Sequence, residues 1–134
     1  MKGIVVTGGE INLPLLKSII GKYRNAVIIS ADAAIVSLEK LNVIPDIMVG
    51  DFDTLNNEEL IKVYEKQGTK IVRHNPVKDY SDSELAMEYA CEAGIKEVIM
   101  LGALGRRFDH AFSNVNMLLK YKKMGMNIVI YDKY

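Results

Sequence analysis

Six short runs of apolar, largely β-branched residues punctuate the chain, at 4–7, 26–30, 47–49, 70–73, 98–101 and 128–131. None alternates apolar with polar residues as a strand with one wet face does. Continuous runs of this kind predict strands covered on both sides. The stretches between them carry a helical period. Leu15, Leu16, Ile19, Ile20 and Tyr23 form a stripe after Pro14, and Ile35, Leu38 and Leu41 form a second. A third helix is expected from near Asn56, with Glu59 at capping distance, to Gly68, where a left-handed residue ends it. A fourth is expected from Ser81, with Glu84 three residues on, to Gly94, and a fifth from about Phe108 to Gly125. Strand and helix alternate throughout. Because parallel neighbours need crossover connections, the pattern predicts an α/β fold: a doubly wound, mostly parallel six-stranded sheet with helices on both faces, a Rossmann-like three-layer sandwich. In such a sheet ligands bind beyond the carboxyl ends of the strands.

The 134 residues suit one domain. Seventeen basic and seventeen acidic side chains cancel, so no global field draws the chain to nucleic acid or to an anionic membrane, and charge-driven function must be local. Lys120, Lys122 and Lys123 fall at an expected helix end, where cations suit the dipole. The lone cysteine, Cys91, excludes an intrachain disulfide and is expected to be a structural thiol. No apolar run reaches membrane-spanning length and the amino-terminal apolar stretch is too short for a signal peptide. A cytoplasmic protein is expected.

Acidic residues collect where ligands are expected. Asp32 follows the second strand, Asp51 and Asp53 the third, Asp79 and Asp82 the fourth and Asp109 the fifth. In extended backbone, residues two apart point the same way, so Gly50-Asp51-Phe52-Asp53 aims two carboxylates at one point. Two such charges about 4 Å apart repel by about 4 kcal/mol at an effective dielectric of about 20, which a bound cation relieves. Oxygen donors without thiolates or clustered imidazoles favour magnesium, whose remaining ligands are commonly waters and substrate phosphates. Simpler roles exist as well: Asp32 can cap a helix starting at Ala33, and Asp82 can sit in a first helical turn, where the dipole favours an acid.

A second constellation, Gly102-Ala103-Leu104-Gly105-Arg106-Arg107-Phe108-Asp109-His110, leaves a strand and enters a helix. Loops of this form offer backbone N–H groups to an anion, and Arg107 can add a bidentate grip on phosphate. The same glycines also serve tight turns, and His110 serves equally as a structural histidine. Lys78 is a further phosphate candidate on another edge loop. No Gly-x-x-x-x-Gly-Lys-Ser/Thr loop, Gly-x-Gly-x-x-Gly fingerprint or nucleophile triad occurs, which sets aside the usual ATPase, dehydrogenase and acyl-transfer signatures.

Taken in order, Ala31-Asp32, Ile44-Pro45-Asp46, Gly50-Asp51-Phe52-Asp53, Lys78-Asp79-Tyr80-Ser81-Asp82 and Gly102 to His110 with Asn114 resemble the motif series of thiamine pyrophosphokinases across nearly the whole chain. The resemblance implies transfer of pyrophosphate from ATP to the hydroxyl of thiamine, giving thiamine diphosphate and AMP. It places magnesium on Asp32, Asp51, Asp53 and Asp82. It puts the nucleotide and its phosphates on Lys78, Gly102, Gly105, Arg107, Asp109 and His110, and catalysis on Asp53, Asp82 and Arg107. Three positions depart from the family pattern: Ala33 and Arg106 stand where glycine is usual, and Ser81 where threonine is. The resemblance further implies that residues 1–134 are the ATP-binding catalytic domain. A β-rich C-terminal domain, outside this chain, then dimerises the full-length protein and supplies much of the thiamine pocket. Two other readings stay open, a pyrophosphokinase for a pterin alcohol and a non-catalytic nucleotide-binding module.

Overall fold

The computed structural model of the chain describes residues 2–7, 11–31, 34–50, 58–73, 82–102, 116 and 118–131, with backbone alone at Glu58, Asp82 and Ser83. All six expected strands form: β1 (Lys2–Val6), β2 (Val27–Ala31), β3 (Ile47–Gly50), β4 (Lys70–Arg73), β5 (Glu97–Leu101) and β6 (Asn127–Tyr131). They make one sheet in the order β4-β3-β2-β1-β5-β6, parallel at every pairing. The helices are α1 (Leu13–Lys22), α2 (Ile35–Lys40), α3 (Glu58–Lys66) and α4 (Asp82–Glu92), and residues 118–123 are helical as well.

Chain direction dictates which face each helix covers. The path from β1 through β4 steps one way across the sheet, and right-handed crossovers put α1, α2 and α3 together on one face. There Leu16, Ile19, Ile35, Leu38, Ile61 and Tyr64 pack over Ile4, Val6 and Met48. From β4 the chain returns past β1 to β5, so the next crossovers fall on the other face. Ala86, Met87 and Ala90 of α4 join Tyr121 there, against Val5, Ile29 and Met100.

Local signals explain the helix ends. Asn12 caps α1, its side chain accepting the Leu15 N–H at 3.0 Å, and Pro14 sits in the first turn, where no amide partner is needed. The expected stops hold: α3 and α4 run out into Gly68 and Gly94, at φ +98° and +79°. The expected starts at Asn56, Ser81 and Phe108 lie outside the described residues. At α2 the cap position is Ala34, which makes no side-chain capping bond.

Burial on both sides holds for the middle of the sheet and fails at its edges. Four of five residues in each of β1 and β5 are buried, whereas β6 alternates between exposed and half-buried positions. Ile128 and Ile130 pack against the α4 side, while Val129 and Tyr131 face outward on the other, 46% and 38% exposed. The unbroken apolar run of β6 therefore overstates its cover. Among the described residues β6 pairs with β5 alone, and the helical residues 118–123 that precede it lie on the α4 face.

Ser30, on β2, illustrates a cost inside this core: its Oγ is buried without a hydrogen-bond partner among the described residues. Desolvating a hydroxyl without compensation costs about 1–3 kcal/mol. Ser30→Ala is expected to raise unfolding stability by about 1 kcal/mol in a urea titration. A drop in stability would mean that the hydroxyl is bonded after all.

Candidate active site

In a doubly wound sheet the ligand crevice opens where successive crossovers part to opposite faces. Here that point lies between β1 and β5: the chain leaving β1 enters α1 on one face, and the helical residues 118–123 that follow β5 lie on the other. Thr7 and Gly102 stand at its mouth. The Thr7 N–H and hydroxyl both donate to the Leu101 carbonyl, at 2.9 and 3.1 Å, which locks the ends of the two strands together. Gly102 follows at φ +79°, and a Cβ built there would lie 2.7 Å from the Thr7 carbonyl oxygen and 3.0 Å from its hydroxyl. The expected glycine at position 102 is thus required by both dihedral and space.

The acidic segments leave the same edge. Ala31, the residue before Asp32, pairs with Val49, and Gly50, the residue before Asp51, pairs with Arg73 at the end of β4. Adjacent strands are about 4.8 Å apart, so the chain emerges at these points in neighbouring rows. Asp82 is the first residue of α4, at the positive end of the helix dipole. That placement is common to a metal ligand and to an acid that merely complements the dipole. Of the expected site residues, Gly102 and the backbone of Asp82 are described. Asp32, Asp51, Asp53, Lys78, Gly105, Arg107, Asp109 and His110 lie outside the described residues, and among the described ones no group of three or more acidic, histidine or cysteine side chains gathers.

One of the quoted motifs proves to be architectural. Pro45-Asp46 precedes β3 at the amino edge, opposite the crevice. The Asp46 carboxylate accepts the Ile28 N–H at 2.8 Å, its amide donates to the Ile28 carbonyl at 2.8 Å, and its carbonyl accepts the Lys70 N–H at 2.9 Å. The Thr69 hydroxyl donates to the Pro45 carbonyl at 2.8 Å. Asp46 thereby joins β2, β3 and β4 at their starts. Conversely, Thr7 ends the first apolar run with only the following Gly8-Gly9 to mark it in the sequence, and its role emerges from the pairing of β1 with β5.

On the α4 face, Tyr121 is wholly buried and donates its hydroxyl to Glu88, whose carboxylate also meets Lys120 Nζ at 3.6 Å. Burial, reinforced by the bond to Glu88, pushes the phenol far above its ordinary range and keeps it a donor. No described helix is long and apolar enough to cross a membrane.

Comparison with known proteins fits this geometry. The family described as "Thiamin pyrophosphokinase, catalytic domain" matches residues 22–130. The chain belongs to the thiamin pyrophosphokinase family. Thiamine pyrophosphokinase of Bacillus subtilis is 30% identical over 130 residues, covering 96% of this chain and 59% of that protein. The crystal structure of the Bacillus subtilis protein superposes with a TM-score of 0.79 at 25% identity, over 98% of this chain and 60% of that one. Thiamin pyrophosphokinase from Geobacillus thermodenitrificans gives 0.79 at 30% identity, over 98% and 59%. The chain thus spans about three fifths of these pyrophosphokinases. The fold persists at low identity: yeast thiamin pyrophosphokinase superposes at 0.73 with 16% identity.

Proposed function

We propose that this chain is the nucleotide-binding catalytic part of a thiamine pyrophosphokinase, which moves the terminal pyrophosphoryl group of ATP to the hydroxyl of thiamine with Mg2+ as cofactor. The observation that carries this reading is the family match across residues 22–130. It is supported by aspartate-bearing segments that follow adjacent strands at the carboxyl edge.

The donor set fits magnesium, being carboxylate oxygen throughout: Asp32, Asp51, Asp53 and Asp82 would hold the ion. Bound there, magnesium neutralises charge on the phosphates. Lys78 and Arg107 grip the phosphate oxygens, backbone N–H groups around Gly102 and Gly105 add neutral donors, and Asp109 and His110 complete the following helix start. The thiamine hydroxyl oxygen attacks the β-phosphorus, its new bond forming as the bridge to the α-phosphate breaks. AMP leaves with the electron pair of that bridge. Asp53 or Asp82 takes the hydroxyl proton. Such transfers depend chiefly on positioning and charge stabilisation, which these residue types supply. In this reading residues 1–134 form the catalytic domain, and a β-rich domain following it contributes thiamine contacts and a dimer interface.

Residues 1–134 alone are then expected to bind Mg-nucleotide but to turn over thiamine poorly, so the test is AMP release from ATP and magnesium with alternative acceptors, run on the protein with its β-rich domain attached. AMP formed with thiamine and not with hydroxymethylpterin is the expected result. The reverse preference would make the protein a pterin pyrophosphokinase, and ATP binding without AMP from either acceptor would make it a binding module.

A further inference from the structure

The fully buried apolar contact of α4 with the sheet is made by Ala86, Met87 and Ala90, with Leu85 and Cys91 packed half-buried at its margin. At its centre, two alanines and a flexible thioether present a shallow surface with few knobs to interlock, which leaves room for polar ties to set the axial position of the helix. Yet α4 carries Asp82 as its first residue, and a proposed ligand to a metal tolerates little displacement.

Lateral ties hold the helix on both sides. On one side Lys70 Nζ of β4 sits over the Tyr89 ring, 5.2 Å from its centroid. On the other Glu88 accepts the Tyr121 hydroxyl and pairs with Lys120. Tyr121 is suited to act as a fixed post. It is the largest fully buried side chain among the described residues, and its carbonyl accepts the N–H groups of Met124 and Met126, at 3.0 and 3.2 Å, in the turn that leads into β6. The Asn127 N–H then donates to the Lys96 carbonyl at 2.7 Å, tying that turn to the start of β5. The post is therefore anchored to the sheet, and Glu88 stands about 9 Å along the helix from Asp82 at 1.5 Å rise per residue.

We propose that Tyr121 and Glu88 are positioning residues, whose hydrogen bond sets the axial placement of α4 and through it the site at which Asp82 meets magnesium and nucleotide. This inference rests on the metal site proposed above. The effect acts through backbone placement and not through contact with ligand, so it should appear as weaker magnesium-dependent binding, with magnesium-independent binding preserved.

The experiment is calorimetric titration of the chain with a non-hydrolysable ATP analogue, with and without magnesium, on wild type, Tyr121→Phe, Glu88→Ala, Glu88→Gln and Asp82→Asn. Tyr121→Phe and Glu88→Ala are expected to lose three- to tenfold in the magnesium-dependent component. Glu88→Gln, which keeps an acceptor for the phenol, should stay within twofold of wild type, a rescue that depends on the bond and not on bulk. Asp82→Asn should lose the magnesium-dependent component almost entirely. If Tyr121→Phe and Glu88→Ala bind as wild type while Asp82→Asn fails, the positioning role is overturned and the metal site stands. If Asp82→Asn keeps full magnesium dependence, the metal assignment falls and the positioning role falls with it. Glu88 is one-third exposed, so its variants fold even where a change at the fully buried Tyr121 does not.

Discussion

Gly102→Ala is expected to cost about 3 kcal/mol of folding stability and to lower the melting temperature by about 10 °C. Two terms add. A residue with a Cβ held at φ +79° loses about 1–2 kcal/mol relative to glycine. The new methyl also meets the Thr7 carbonyl oxygen at 2.7 Å, and that oxygen is backbone, so it cannot swing aside as a side chain would. Relief requires β1 and β5 to part at their carboxyl ends, breaking the paired bonds from Thr7 to Leu101. Binding of nucleotide should weaken alongside stability, because those strand ends frame the crevice. Gly21→Ala is the control. Gly21 lies inside α1 with nothing within 4 Å of a built Cβ, and alanine there should stabilise by about 0.5–1 kcal/mol. Thermal denaturation of the two variants should therefore move in opposite directions.

The strand count, the helix stops at Gly68 and Gly94 and the parallel topology were legible because each rests on a local signal: a β-branched run, a glycine, a helical period. What escaped was long-range. Asp46 reads as one more acid in a family motif, and only the register of β2, β3 and β4 reveals that it binds the Ile28 amide. The bond from Tyr121 to Glu88 spans 33 positions with no periodicity to announce it. Thr7 gains meaning only once β1 and β5 are neighbours, which the order of strands in the sequence does not say. The apolar run of β6 misled for a related reason, since composition records what a strand can bury and not whether a helix is there to bury it. At the site itself, the chain order of the aspartates was legible, and the strand pairings now add that Asp32 and Asp51 follow neighbouring strands.

Asp51→Asn separates the two roles an acid at this edge can have. As a magnesium ligand, Asp51 contributes a full negative charge that asparagine lacks. Its replacement should weaken magnesium-dependent binding of a non-hydrolysable ATP analogue by about 30- to 100-fold, equivalent to about 2–3 kcal/mol. Binding without magnesium should change little or improve slightly, because one charge facing the phosphates is gone. Stability without ligand should hold or rise, since the neutral amide relieves repulsion from Asp53. As a turn or capping residue, the same aspartate predicts the opposite pattern: a loss of about 1 kcal/mol in stability with unchanged affinity for nucleotide at every magnesium concentration. Calorimetry with and without magnesium, paired with urea denaturation of the ligand-free protein, reads both quantities on one variant. Because the two roles differ in the sign of the stability change as well as in the affinity, a general disturbance of the fold cannot imitate the metal-ligand result: it would lower stability, where loss of a repelled charge preserves or raises it.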